Sequence, residues 1–176
     1  MDLHKSPPRE KPELSGAHLS LISDAIDRDA SPYRLLLRRS FDLARFQGCR
    51  LNETWLNPQS DVFEEADADG VTRWKIRFRI KRNRTHIAPL HPQLAPLFVR
   101  LRTEGATETY PRVLGFADLS KARRIWSDFF RRTGLRRQIP GLSFHCLRVT
   151  LVTQFARAVV PENLAMRFIG HASQTV

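Results

Sequence analysis

The stretch Trp74-Lys75-Ile76-Arg77-Phe78-Arg79-Ile80-Lys81 decides how the chain is read. Trp74, Ile76, Phe78 and Ile80 alternate with Lys75, Arg77, Arg79 and Lys81. A period of two is that of a strand, with one face apolar and the other carrying four cations. Like charges on one face repel, so four cations without interleaved acids are unusual for a plain wet surface. Arg82-Asn83-Arg84 reads as a turn, and residues 86–88 return as a short strand before Pro89. Upstream, Val62-Phe63 suits a further short strand. The acidic run over 64–69, closed by Gly70, reads as a connecting loop.

Helical spacing dominates on either side. Leu19, Leu21, Ile22 and Ile26 mark an amphipathic helix ending near Asp29. Ser31-Pro32 predicts the start of a second, with Ser as N-cap and Pro at the first helical position. That helix carries Leu35, Leu36, Phe41, Leu43 and Phe46, and Gly48 stops it. Further helices are expected over 92–101 and over 120–133, the latter with Ile125, Trp126, Phe129 and Phe130 inward and Gly134 as its stop. Ser143 is placed to cap a helix built on Leu147, Leu151, Val152 and Phe155. Pro161 opens a last helix closed by Gly170. Residues 1–16, with Pro7, Pro8 and Pro12 among charges, read as a linker or disordered N-terminus. The fold class is therefore mainly α with a small antiparallel β-sheet, α+β, in one domain over 17–176.

Composition narrows the function classes. The 176 residues are 41% apolar, enough to bury a core, so wholesale disorder is excluded. There is no membrane-length apolar run and no signal-peptide pattern near the start. Two cysteines make no disulfide framework and point to a reducing, cytoplasmic setting. The net charge of +11 is uneven: residues 1–70 carry −4 and residues 71–176 carry +15. Of the 29 basic residues, 24 are Arg, whose guanidinium forks match phosphate oxygens. A polyanion partner, foremost nucleic acid, fits this split. An Arg-rich solvated surface is the plainer alternative.

Three stretches then fall into one order: Gln47-Gly48-Cys49-Arg50-Leu51-Asn52-Glu53; the hairpin bearing Lys81 with Ile87-Ala88-Pro89-Leu90; and His145-Cys146-Leu147-Arg148 with Ile169-Gly170-His171 a helix later. Together they resemble the catalytic domain of the tyrosine recombinases, the phage-integrase family, over most of residues 19–176. The resemblance implies a phosphoryl transfer without metal or cofactor, in which a tyrosine attacks a DNA phosphodiester. The charge that grows on the non-bridging oxygens needs fixed cationic donors. In family order Arg50 and Arg148 are the two phosphate-clamping arginines. Lys81 is the acid that protonates the leaving 5′-oxygen, His145 a general base or phosphate contact, and His171 a phosphate donor. Glu53 is the carboxylate that supports Arg50. Lys75, Arg77, Arg79, Arg82 and Arg84 would hold the DNA backbone.

Each residue taken singly has a plainer role. Arg50 and Arg148 suit ordinary ion pairs, and His145 and His171 suit helix ends. Cys49 and Cys146 suit small buried apolar positions, and Trp74 and Trp126 suit the core.

The family's nucleophile has no counterpart. The tyrosines are Tyr33 and Tyr110, and neither follows His171. The expectation is a catalytic domain cut short before its tyrosine and inactive alone, with no metal site. Alternatives are a non-catalytic DNA-binding remnant and, less well matched, a basic RNA-binding protein. The resemblance implies double-stranded DNA as partner and no membrane. Family members assemble as tetramers on DNA, whereas this chain is expected to be a monomer in isolation. Arg148→Ala is expected to remove phosphate clamping and leave the fold intact.

Overall fold

The computed structural model describes residues 11–80, 84–104, 112–114 and 118–170. Its elements run α1 (Gly16–Asp27), α2 (Arg34–Gln47), a 3-10 turn (Leu51–Thr54), β1 (Val62–Ala66), β2 (Thr72–Ile80), β3 (Arg84–Pro89), a 3-10 turn (Pro92–Leu94), α3 (Ala95–Glu104), α4 (Leu119–Arg132), α5 (Leu135–Gln138), α6 (His145–Arg157) and α7 (Glu162–Ile169). The expected class holds: helices with one three-stranded antiparallel sheet, ordered β1-β2-β3.

β2 is the central strand, and its alternation does what its pattern demands. Ile76 and Phe78 are buried on one face, while Arg77 and Arg79 stand on the other. The first correction concerns the acidic run. Glu64, Glu65 and Ala66 are not loop but strand, paired with Trp74, Arg73 and Thr72. Strand pairing here overrides the low β-propensity of acidic residues. Of the turn predicted at 82–84, residues 82 and 83 lie outside the described residues, and Arg84 already belongs to β3.

Helix boundaries shift in several places, and Ser143 does not cap α6, whose N-cap is Phe144. Ser31-Pro32 lies ahead of α2, whose N-cap is Tyr33. The Ser31 hydroxyl instead donates to Asp29 (3.0 Å), whose carboxylate also takes Arg132 Nη1 from α4 at 2.9 Å. Gly134 (φ +71) ends α4 and at once starts the short α5, which the sequence pattern did not suggest. The segment expected to be a linker up to residue 16 is tied down earlier. Leu14 is buried, and its N–H donates to Thr150 Oγ1 of α6 at 2.8 Å. Glu13 pairs with both guanidinium nitrogens of Arg157.

Two apolar clusters share α2 between them. Leu36, Leu37 and Phe41 join α1, α4 and α6 in the larger, around Trp126, Phe129 and Phe130. Leu43 joins the inner face of the sheet and α3 in the smaller. Each fully buried side chain of this size contributes about 1.5–3 kcal/mol. The one polar group of Trp126 is satisfied, its Nε1 donating to Ser40 Oγ at 3.0 Å. Because α2 is wedged between both clusters, its C-terminal end is held rigidly where sheet, α6 and α7 meet. Gln47 strengthens that joint: its amide donates to Pro89 O (2.9 Å) and accepts from His91 N–H (3.1 Å).

Candidate active site

The site begins where α2 stops. Gly48 takes a left-handed φ of +66, and a Cβ there would lie 2.9 Å from Leu151 and 3.1 Å from Ile169. Only glycine meets both demands. The chain then turns through buried Cys49 to Arg50, in extended conformation, and into the 3-10 turn. Three residues on, Glu53 reaches back. Its Oε2 accepts Arg50 N–H at 2.7 Å, and its Oε1 accepts Arg50 Nη1 at 2.5 Å. Glu53 is only 4% exposed, so this is a charge-assisted pair in a poorly screened setting.

Arg148 approaches the same carboxylate from α6, its Nη1 3.5 Å from Glu53 Oε2. It is 2% exposed. Nη1 donates to Gly48 O at 2.6 Å and Nη2 to Ile169 O at 2.9 Å. Those carbonyls end α2 and α7, where helix dipoles present negative potential, so a guanidinium is welcome. Both helices close on a left-handed glycine, Gly48 and Gly170. Arg148 therefore staples two helix C-termini together. Its Nε is buried without a hydrogen-bond partner among the described residues. Burial, then the charge of Arg50, pulls its pKa below the usual guanidinium value, with Glu53 opposing.

His145 stands three residues before Arg148, at the first position of α6, and remains solvent-exposed. Partial desolvation, then the charges of Arg148, Arg50 and Lys11, hold its pKa below the ordinary imidazole value, with Glu53 pulling the other way. The ring is therefore neutral over a wider range than a free histidine and able to take a proton. Cys49, which touches this group, is inert: burial, then Glu53, pushes its thiol pKa up.

The structure thus brings together Arg50, Glu53, His145 and Arg148. Lys81, Arg82 and His171 lie outside the described residues, as does Tyr110. The outer face of the sheet differs from the expected bare ladder of cations. Lys75 Nζ is held by Glu65 (2.7 Å) and Asp67 (2.6 Å), and Arg73 pairs with Asp67 and Asp69. The hydrogen bonds that Lys75 donates to Asp67 and Glu65 raise its pKa. The acids missing from β2 come from its neighbour β1 and the turn beyond. Arg77 lies 4.8 Å from the centre of the Phe63 ring and donates to Ser60 O, while Arg79 and Arg84 are exposed. Among the described residues no cluster of three His, Cys, Asp or Glu is arranged to hold a metal ion, and no helix is long and apolar enough to cross a membrane.

No known protein-family model matches the chain, and no curated protein is detectably similar in sequence. Solved structures are similar. The XerH site-specific recombinase bound to palindromic difH substrate superposes with a TM-score of 0.65 at 20% identity, over 92% of this chain and 46% of that one. XerA recombinase gives 0.62 at 18%, over 98% and 59%. A lambda integrase (75-356) dimer bound to a COC′ core site gives 0.62 at 20%, over 97% and 61%. This is the fold of a tyrosine recombinase catalytic domain. The chain spans roughly half the length of these recombinases, 46–61% of each. Within that fold Arg50 and Arg148 lie on separate elements, about a hundred residues apart in sequence, yet share one carboxylate.

Sequence reasoning overlooked what holds Arg148. The carbonyls of Gly48 and Ile169 belong to the backbone and carry no residue signature; only the two glycines that stop α2 and α7 hint at them.

Proposed function

We propose that the pocket of Arg50, Glu53, His145 and Arg148 binds a phosphodiester of double-stranded DNA for strand cleavage and rejoining in site-specific recombination or integration. The convergence of two guanidiniums on one buried carboxylate carries this reading. Glu53 pairs with both, yet a single carboxylate leaves one positive charge over, facing a neutral, exposed imidazole. That is an anion site with a proton acceptor beside it. In this account Arg50, one-third exposed, meets the phosphate oxygens. Arg148 supports the positive potential from beneath and offers its unpartnered Nε. Lys81 and His171 take the roles that the family resemblance gives them. Neither Tyr33 nor Tyr110 is given the role of the attacking phenol in this account.

A second reading is a DNA-binding remnant without catalysis, in which Tyr33 serves packing alone. Tyr33 packs against the larger apolar cluster at the start of α2, with Lys121 Nζ 5.5 Å from its ring centre. A nicked suicide duplex tests the assignment of the nucleophile. The chain alone is expected to bind it without forming a covalent adduct, and a phosphotyrosyl adduct would overturn the assignment of the nucleophile. Duplex binding should weaken steeply as salt rises, because phosphate contacts release counterions. Binding that ignores salt would contradict the phosphodiester reading.

A further inference from the structure

α7 ends on carbonyls that need partners. Gly170 N–H caps Met166 O, and Arg148 takes Ile169 O. Phe168 O lies 3.3 Å from Nε2 of His86, a residue of β3. A carbonyl only accepts, so the imidazole donates. The same ring stacks on Phe78 of β2, centroids 6.3 Å apart and 11° from parallel. It also fills the space over Gly170, where a Cβ would come within 2.7 Å of His86 Cδ2. One side chain therefore touches both strands of the β2–β3 hairpin and the last turn of α7. The next carbonyl along that turn is the one that holds Arg148.

We propose that His86 is a positioning residue that fixes the C-terminus of α7, and through Ile169 O the guanidinium of Arg148, to the β2–β3 hairpin. This rests on the phosphodiester reading for its purpose, since a clamp for a phosphate must be held before the anion arrives. It couples two elements that sequence separates: the β2–β3 hairpin and the C-terminal end of α7. The side chain never meets the reacting atoms and acts only through the backbone of α7. Gly170 is required by the same ring, which gives that glycine a reason beyond ending a helix.

The test is made on the free protein by NMR, with three variants. His86→Phe keeps an aromatic ring on Phe78 and Gly170 but has no donor. His86→Gln keeps a donor near the position of Nε2. Gly170→Ala drives a methyl into the ring. The readouts are solvent exchange of the Arg148 Nε–H and the titration midpoint of His145, which the Arg148, Arg50 and Lys11 charges lower and Glu53 raises. His86→Phe should speed Nε–H exchange by about tenfold, the worth of one hydrogen bond, and move the His145 midpoint up toward the ordinary imidazole value. His86→Gln should restore both, and Gly170→Ala should resemble His86→Phe. Unchanged exchange and midpoint in a folded His86→Phe overturn the proposal. Failure of His86→Gln to rescue a disturbed His86→Phe also overturns it, because packing alone would then explain the effect. Duplex binding by the unmutated chain is measured separately. Its absence would remove the phosphodiester reading while leaving the coupling intact.

Discussion

Two clusters of paired charges sit in different settings in this molecule and behave differently. Arg50, Glu53 and Arg148 are packed among helix ends, with Glu53 and Arg148 almost fully buried. Arg73, Lys75, Glu65, Asp67 and Asp69 form a richer network on the outer face of the sheet, where Arg73, Glu65 and Asp69 are about half-exposed. Both are built from basic side chains paired with carboxylates. Water screens the second cluster, so its pairs are expendable. The first is deprived of water, so each partner is needed and the surplus positive charge persists as a binding potential. Ion pairing decorates one region and builds the proposed site in the other.

The hardest blow to that contrast is Glu53→Ala. It leaves two guanidiniums converging without their carboxylate, and a buried charge stripped of its partner costs about 3–5 kcal/mol. Urea denaturation should show a large fall in midpoint; a change no larger than a surface substitution would break the comparison. Arg148→Ala follows, at about 2–4 kcal/mol for a lost buried side chain and two carbonyls, Gly48 O and Ile169 O, left without their donor. This revises the expectation that Arg148→Ala spares the fold. Under the proposed function, clamping a phosphate and stapling two helix ends are not alternatives, because Nη1 and Nη2 hold the carbonyls and Nε is left over.

The third test is pH. The His145 pKa is lowered in the fold, so the folded chain binds fewer protons than the unfolded one between the two pKa values. Its contribution is therefore fully present above the ordinary imidazole value and is lost as pH falls through the lowered one. His145→Gln should flatten the stability curve in that window, measured by thermal melts from mildly acidic to neutral pH. An unchanged curve would place the source of the slope elsewhere. The smallest effect belongs to the sheet. Lys75→Ala should leave the melting temperature nearly unmoved, and a clear drop would mean that the outer network is structural after all.

Much of this was legible in the sequence, and the exceptions have physical causes. The alternation in β2 and the apolar stripe of α4 are strong because burial enforces them residue by residue. The start of α2 was misplaced because Ser31-Pro32 serves equally well in a turn, and here Asp29 and Arg132 engage that serine. The strand at Glu64 and Glu65 was read as loop because its formation depends on pairing with β2, a tertiary event. The partners of Lys75 were hidden for the same reason, since cross-strand register is not written along the chain. At the site, Arg50, Glu53, His145 and Arg148 could be picked out by type and order. Their cradle of backbone carbonyls could not, and neither could the role of His86.

The central claim is that the buried charge cluster, rather than the more numerous cations of the sheet, forms the phosphodiester pocket. Its most direct test is the affinity of Arg50→Ala and Lys75→Ala for one duplex, by fluorescence anisotropy at a fixed low salt. Loss of a charged donor to phosphate should weaken Arg50→Ala by about tenfold or more, while Lys75→Ala stays within about twofold of the unmutated chain. Equal losses, or the reverse order, would contradict it.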